Sequence, residues 1–248
     1  HRDLHLSIRR QRQMCIRDSD KFDYVSNPEF LREGSAVNDF LFPDRVVIGA
    51  SSKKAFDEMK NVYRPLYINK TPLMEFSVVS AEMIKYAANS FLALKISYIN
   101  EIANLCEAVG ADVHDVASAM GKDGRISSKF LHPGPGFGGS CFPKDIEALY
   151  ALGKEKNINL NTISATIGAN KFQKQRTLNK ILKLMGDEIK GKKIAILGLS
   201  FKPNTDDIRE SSSIFIISSL IELKAQINAY DPVANSNFKE LYPNINYF

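Results

Sequence analysis

The sequence predicts an α/β protein with a long helical middle. Three observations predict it. Over residues 20–79, short apolar runs that end in turn residues alternate with a helical stretch. A single helical pattern then runs from Ala81 to Val109. From Gly191 onward, a strand, a loop, a helix and a second strand follow in turn.

The first residues stand apart. HRDLHLSIRRQRQMCIRDSD carries five arginines and shows no sustained period of 2 or 3.6. It has no apolar core or small-residue cleavage site of a signal peptide, and its three aspartates argue against a transit peptide. QRQMCIRDS resembles translated sequencing-adapter read-through. Residues 1–19 are therefore read as a non-native tail, and Cys15 is given no role. DYVSNPEF, DRVVIGAS and PLMEFSVVS read as strand pieces or strand ends, with SKKAFDEMKNVYRPL as a helix between them.

Ser80 is the expected N-cap of the long helix and Gly110 its stop. Ile84, Ala88, Phe91, Tyr98, Ile102, Leu105 and Val109 recur at helical steps and mark one apolar face. Such a helix would be about 44 Å long at 1.5 Å per residue, long enough to be a spine shared between domains or subunits. Cys106 beside it is read as a small buried hydrophobe. A second helix follows Asp112 and ends at Gly121. His114 on it is a surface residue with no partner at metal-ligand spacing. After a glycine-rich loop, Pro143 suits the first turn of another helix through IEALYALGKEK, and a further helix covers Ile163 to Leu184. KKIAILGLS has the continuous apolar character of a strand buried on both faces. SSIFIISSLIELK is the following helix and QINAYDP a second strand ending in Asp231, while LYPNINYF has no closing element. The segments expected are 20–79, 80–186 and 187–248.

Composition narrows the function classes. The chain has 248 residues, 44% hydrophobic and 25% charged, within the ordinary globular range. No apolar run approaches the ~20 residues of a membrane span. The net charge of +5 suits anionic ligands, but there is no zinc-finger spacing, RNA-binding aromatic signature or basic stripe. Nucleic-acid binding would rest on the arginine-rich tail alone. Three scattered cysteines make no disulfide framework and fit a reducing cytoplasm.

Two loops carry chemistry. HPGPGFGGSC brings Gly134, Gly136, Gly138 and Gly139 before Cys141, a density that lets backbone approach a ligand closely. Cys141 stands just ahead of a helix, a position that lowers a thiol pKa and favours thiolate. Lys144 adds positive potential, and Asp145 falls one turn on. A nucleophile and a passive residue in a tight turn both remain open on these residues. The other loop, Gly198-Leu199-Ser200-Phe201-Lys202-Pro203, keeps only the first glycine of G-x-G-x-x-G. It still places a strand-to-helix turn where backbone N–H groups and a helix dipole face anions. Lys85 and Asn89, four apart on the long helix, project from one face. Lys85 is expected in the first turn, as a solvated lysine or as a donor to a developing oxyanion. Glu29, Arg32 and Glu33 read as a surface charge cluster.

SNPEFLREGSAVNDFLFPDRVVIG, EMIKYAANSF, GRISSKFLHPGPGFGGSCFPKD and GLSFKPNTDDIRES, in this order and spacing, closely resemble the UDP-glucose/GDP-mannose dehydrogenase family over about residues 20–248. The resemblance implies the remnant of an N-terminal Rossmann NAD-binding domain, a central all-helical dimerisation domain and a truncated Rossmann-like UDP-binding domain. It implies NAD as cofactor, UDP-glucose as substrate and a homodimer or higher homo-oligomer built on the long helix. It also implies a four-electron oxidation of the sugar's C6 alcohol through a cysteine thiohemiacetal and thioester. By matching motif, Cys141 is the nucleophile, and Lys85 and Asn89 stabilise the C6 oxygen. Asp145 orients water or moves its proton, and Glu29 acts in acid–base work. Phe30, Leu31, Glu33, Arg125, Phe137, Gly138 and Lys202 contact substrate, with Arg125 reaching the neighbouring subunit's site. Glu33, Lys144 and Arg209 lie on the cofactor side, and no metal is implied. The family's first βαβ unit, with its G-x-G-x-x-G and ribose-binding acid, is expected ahead of SNPEFL and is not in this sequence. The chain alone is therefore not expected to bind NAD normally. A GDP-mannose or UDP-N-acetylhexosamine dehydrogenase, or a non-catalytic dimerising fragment, are the competing readings.

Overall fold

The computed structural model describes residues 22–186 and 188–248. The tail expected at 1–19, with Cys15, lies outside the described residues. The chain divides into two units, one ending at Lys85 and the other Tyr86–Phe248.

The first unit is built on a parallel pair, β1 (Val46–Gly49) and β2 (Leu73–Phe76), with Val46 opposite Leu73. Before β1 comes the short helix α1 (Ala36–Leu41). Helix α2 (Lys53–Val62) follows β1, capped by Ser52, whose Oγ accepts the Ala55 N–H, and a 3₁₀ turn covers Arg64–Asn69. β1 is fully buried, and Val46, Ile48 and Leu66 form the core. DYVSNPEF forms no strand. It makes a single antiparallel bridge, Ser26 to Gly49, and Asn27 is tied to the Val47 carbonyl and the Tyr63 hydroxyl. Proline at 28 and the side-chain bonds of Asn27 favour this pinned loop over a ladder.

Helix α3 (Val78–Val109) begins earlier than expected. Ser77, not Ser80, supplies the cap, its Oγ accepting the Ser80 N–H while its carbonyl accepts that of Ala81. Lys85 therefore sits two turns inside the helix rather than in its first turn. Gly110 closes it in the left-handed region, φ 77°, with the Ala111 N–H on the Cys106 carbonyl. At 32 residues the helix is about 48 Å long.

The second unit continues with α4 (Val113–Lys122), capped by Asp112, then α5 (Phe142–Glu155) and α6 (Asn161–Met185). The buried face of α3 is mostly small and polar: Asn89, Ser90, Ala93, Ser97, Ile99 and Asn100. Against it, Ser97 Oγ donates to the Thr166 carbonyl, and Asn104 bonds Gln173 and Arg176 of α6. Much of the predicted apolar stripe faces solvent instead: Phe91 is 59% exposed, Tyr98 44%, Leu105 59% and Val109 69%. Cys106 is buried, as expected, and His114 is exposed.

The chain then forms β3 (Lys193–Leu197), α7 (Ser212–Glu222), β4 (Gln226–Tyr230), α8 (Asn235–Leu241) and β5 (Asn246–Tyr247). The strands pair in parallel in the order β3-β4-β5. Leu199, Ile217, Leu220, Ile227, Ala229 and Phe238 are the centre of the core. The expectation for KKIAILGLS needs correcting. β3 is an edge strand, with Lys193, Ala195 and Leu197 exposed and Ile194 and Ile196 packed on the core. The helices of the core cover one face of the sheet, which restores an alternating pattern. Within LYPNINYF, β5 adds the third strand.

Candidate active site

In the first unit, the bridge at Ser26 delivers the next residues to α3. The Lys85 ammonium donates to both the backbone carbonyl of Glu29 and its carboxylate, the latter at 2.9 Å. The second carboxylate oxygen of Glu29 accepts the Leu31 N–H at 2.7 Å. The Phe30 ring lies under the Arg45 guanidinium at 4.0 Å and within 5.5 Å of the Lys85 nitrogen. Lys85 is only 16% exposed, so it is not the solvated lysine that the sequence left open. Arg32 and Glu29 are exposed, as a surface charge cluster requires. Arg32 pairs with Asp39, and the guanidinium's hydrogen bond holds the Asp39 carboxyl well below the usual range. Glu33 lies half-buried in the turn before α1.

In the second unit, the glycine loop is fastened along its length. Gly134 donates to Asn100 Oδ1 of α3 at 2.8 Å, and its carbonyl accepts from Gln173 Nε2 of α6. Asn170 takes both backbone groups of Phe137, its Oδ1 accepting the N–H at 2.8 Å and its Nδ2 donating to the carbonyl at 3.0 Å. The Phe137 ring is buried with Ala93 and Ile146 and meets Phe142 edge-on. What Phe137 presents outward is therefore small. Gly138 lies against the backbone of Glu210: a Cβ there would stand 2.2 Å from that carbonyl oxygen.

Cys141 occupies the N-cap position of α5, its carbonyl accepting the Asp145 N–H and its Sγ 3.6 Å from Ser140 Oγ. It is partly accessible. Asp145, one turn along, is 1% exposed. Its Oδ2 accepts from Asn89 Nδ2 at 2.6 Å and its Oδ1 from Lys144 Nζ at 2.5 Å. Burying an ionisable carboxyl is costly unless it is bonded, and these two donors meet that need. The unit thus brings Asn89, Lys144 and Asp145 together at the start of the helix that Cys141 opens.

Other expected residues stand apart from this cluster. Arg125 is almost fully exposed, forked onto Asp123, whose hydrogen bond raises its pKa. Arg209 is similarly forked onto Asp207. The Lys202 ammonium lies 5.3 Å from the Phe201 ring, and that ring packs against Gly139.

The strand-to-helix turn after β3 departs from its expected use. Asp231, 4% exposed at the end of β4, accepts the N–H groups of Leu199 and Ser200 with one oxygen and those of Val233 and Ala234 with the other. Burial alone would raise its pKa, but these four donors outweigh it and hold it at about 2. The amides that a dinucleotide fold turns toward phosphate are here occupied by the protein's own carboxylate.

Sequence reading missed the roles of Asp231, Asn170, Gln173, Lys174 and Ser212, placing Asp231 only as the end of a strand. One signal was available: Asn170, Gln173 and Lys174 share a helix face at steps of three and four. Among the described residues no group of three His, Cys, Asp or Glu is placed to hold a metal. No described helix is long and apolar enough to cross a membrane.

Three models of one family match the chain. Residues 5–67 match the NAD binding domain of the UDP-glucose/GDP-mannose dehydrogenase family, 79–172 its central domain and 195–248 its UDP binding domain. A UDP-glucose 6-dehydrogenase of Rhizobium meliloti is 50% identical over 219 residues, which are 88% of this chain and 50% of that protein. The UDP-glucose 6-dehydrogenase TuaD of Bacillus subtilis is 50% identical over 213 residues, 86% of this chain and 45% of its own length. The solved UDP-glucose dehydrogenase from Pyrobaculum islandicum superposes with a TM-score of 0.88 at 38% identity, covering 92% of this chain and 52% of that one. The chain spans about half the length of the curated relatives it matches.

The NAD binding domain implies a dinucleotide, and the described residues do not build its cradle. The end of β1 is closed by packing: a Cβ on Gly49 would lie 2.5 Å from Ala81 Cβ of α3. No glycine-rich strand-to-helix turn occurs elsewhere among the described residues of that unit. Four motifs, three consecutive domain matches and a fold shared at 38% identity agree, and the chain belongs to the UDP-glucose/GDP-mannose dehydrogenase family.

Proposed function

We propose that the protein carrying this chain oxidises the C6 alcohol of UDP-glucose to the carboxylate, with Cys141 as covalent nucleophile. The observation that carries the reading is the buried Asn89–Asp145 pair at the start of the helix that Cys141 caps. When bound, NAD supplies the hydride acceptor for each of the two oxidations. The chain's own residues do the rest. The Cys141 sulfur adds to the C6 aldehyde, giving a thiohemiacetal that keeps the aldehyde from being released. Once this is oxidised to the thioester, water attacks the carbonyl carbon, the C–S bond breaks and the thiol is recovered. Asn89 and Lys85 donate to the C6 oxygen as it gains charge. Asp145 orients the attacking water, and Glu29 serves the proton transfers of that phase.

The same proposal assigns Phe30, Leu31, Glu33, Arg125, Phe137, Gly138 and Lys202 to the sugar nucleotide and Glu33, Lys144 and Arg209 to the cofactor side. Arg125, exposed at the surface, is the residue proposed to reach a neighbouring subunit. The exposed seam of Phe91, Tyr98 and Leu105 supports a second copy of the chain as the partner of α3. The free thiols Cys106 and Cys141 support a reducing, cytoplasmic setting.

Replacing Cys141 by Ser in the full-length enzyme tests the reading. Turnover should stop at the bound aldehyde level, with less NADH formed per UDP-glucose. An unchanged NADH yield overturns it. A second reading within the family has one supporting observation: a UDP-D-ManNAc dehydrogenase from Pyrococcus horikoshii superposes with a TM-score of 0.75 at 26% identity. Comparing kcat/KM for UDP-glucose, GDP-mannose and a UDP-N-acetylhexosamine separates the two.

A further inference from the structure

We infer that Ser212 and Lys174 are positioning residues for Cys141, tying the glycine loop that carries the thiol to the crossover loop between β3 and α7. The upstream part of the glycine loop is fastened by Asn100, Gln173 and Asn170, which reach Gly134 and Phe137 from α3 and α6. The crossover loop and the first residue of α7, where that loop ends, add a second set of ties. Ser212 Oγ lies 3.1 Å from the carbonyl oxygens of both Pro135 and Gly136, so its one hydroxyl proton is shared between them. Gly139, two residues before Cys141, donates its N–H to the Arg209 carbonyl at 2.8 Å.

Lys174 completes the joint from α6. Its ammonium donates to the Glu210 carbonyl at 3.0 Å, while its stem runs past Gly136, where a Cβ would meet Lys174 Cγ at 3.1 Å. One side chain therefore touches both loops. The contact at Gly138 brings the two backbones together with no room for a side chain. Neither Ser212 nor Lys174 has a part in the proposed chemistry, and the joint they make spans 76 residues of sequence. The far end of the crossover loop is held by Asp231 through Leu199 and Ser200. The thiol's loop is thus referenced to the sheet of β3 and β4, and not only to the helices beside it.

The test is the rate at which iodoacetamide alkylates Cys141 in the chain, followed peptide by peptide in a mass spectrometer. Buried Cys106 serves as the internal measure of general opening. Losing one tie of ordinary hydrogen-bond strength corresponds to about a 3- to 10-fold change in a local opening equilibrium. Ser212→Ala and Lys174→Met should each raise the Cys141 rate by that factor and leave the Cys106 rate alone. Lys174→Arg and Ser212→Thr, which keep a donor, should return the Cys141 rate toward that of the parent. The inference is overturned if both truncations leave Cys141 unchanged, or if Cys106 rises in step with it. It is equally overturned if the donor-keeping variants behave like the truncations.

Discussion

Asn89 and Asp145 form a buried hydrogen bond, 2.6 Å from amide nitrogen to carboxylate oxygen, between the long helix and the helix that Cys141 caps. The pair spans 56 residues and serves stability as well as the proposed chemistry. Truncating Asp145 to Ala strands the Asn89 amide and should cost about 1–3 kcal/mol in urea unfolding of the chain. The double variant Asn89→Ala/Asp145→Ala should cost less than the sum of the singles, by about 0.5 kcal/mol or more. Additive singles would show that the bond is not formed in solution. In the full-length enzyme, Asp145→Asn should keep a partner for Asn89 while kcat falls by about 100-fold or more.

Asp231 makes the stability of the second unit depend on pH. Its folded pKa of about 2 lies below the ordinary aspartate value of about 3.9, so the carboxylate is the form the fold favours. Its contribution is full above pH 4 and is lost as pH falls from about 4 through 2, an amount of about 2 kcal/mol. Chemical unfolding across that range should show the loss in the parent. In Asp231→Asn the same slope should be shallower on a lower baseline.

Three glycines should respond differently to alanine. At Gly138 a Cβ meets the Glu210 carbonyl oxygen at 2.2 Å, and Gly138→Ala should cost about 2–4 kcal/mol by forcing the loops apart. At Gly110 nothing lies within 4 Å, but φ is 77°, and the cost should be about 1–2 kcal/mol from backbone strain alone. Gly134 has neither obstacle, and Gly134→Ala should be close to neutral. Thermal melts of the three variants check the order.

The exposed seam on α3 should set the oligomeric state. Phe91→Arg and Leu105→Arg place a charge where apolar surface would meet a second copy. Sedimentation velocity should show each variant shifted toward monomer with its melting temperature little changed. A parent that is monomeric throughout would remove the second copy from the proposal.

The sequence was most informative where structure is local. Asp112 and Gly110 bound their helices as expected because caps are written within a few residues. Pro143 marked the start of α5 in the same local way. Ser77 was missed because Ser80 offers the same chemistry three residues later, and only the tertiary path of the chain chooses between them. The misreading of β3 has a different cause. An apolar run reads the same whether one face or two are covered, and the exposure of Leu197 is decided by what packs on the sheet. Asn170, Lys174 and Ser212 act on backbone groups far away in sequence; the shared helix face of Asn170 and Lys174 marks a polar stripe but not its distant partners. The glycine loop before Cys141 was legible as a motif, but what holds it was not.

The spacing of Phe91, Tyr98 and Leu105 has a geometric consequence. They recur every seven residues, whereas an α-helix turns once in 3.6, so the seam slips about 20° around the axis with each repeat. A straight neighbour laid parallel to α3 would keep contact with one of the three and lose the others. A helix that follows all three must lean across α3 at roughly 20°, winding in the left-handed sense. The sequence of one helix thereby restricts the angle at which any helix packed on this seam can lie.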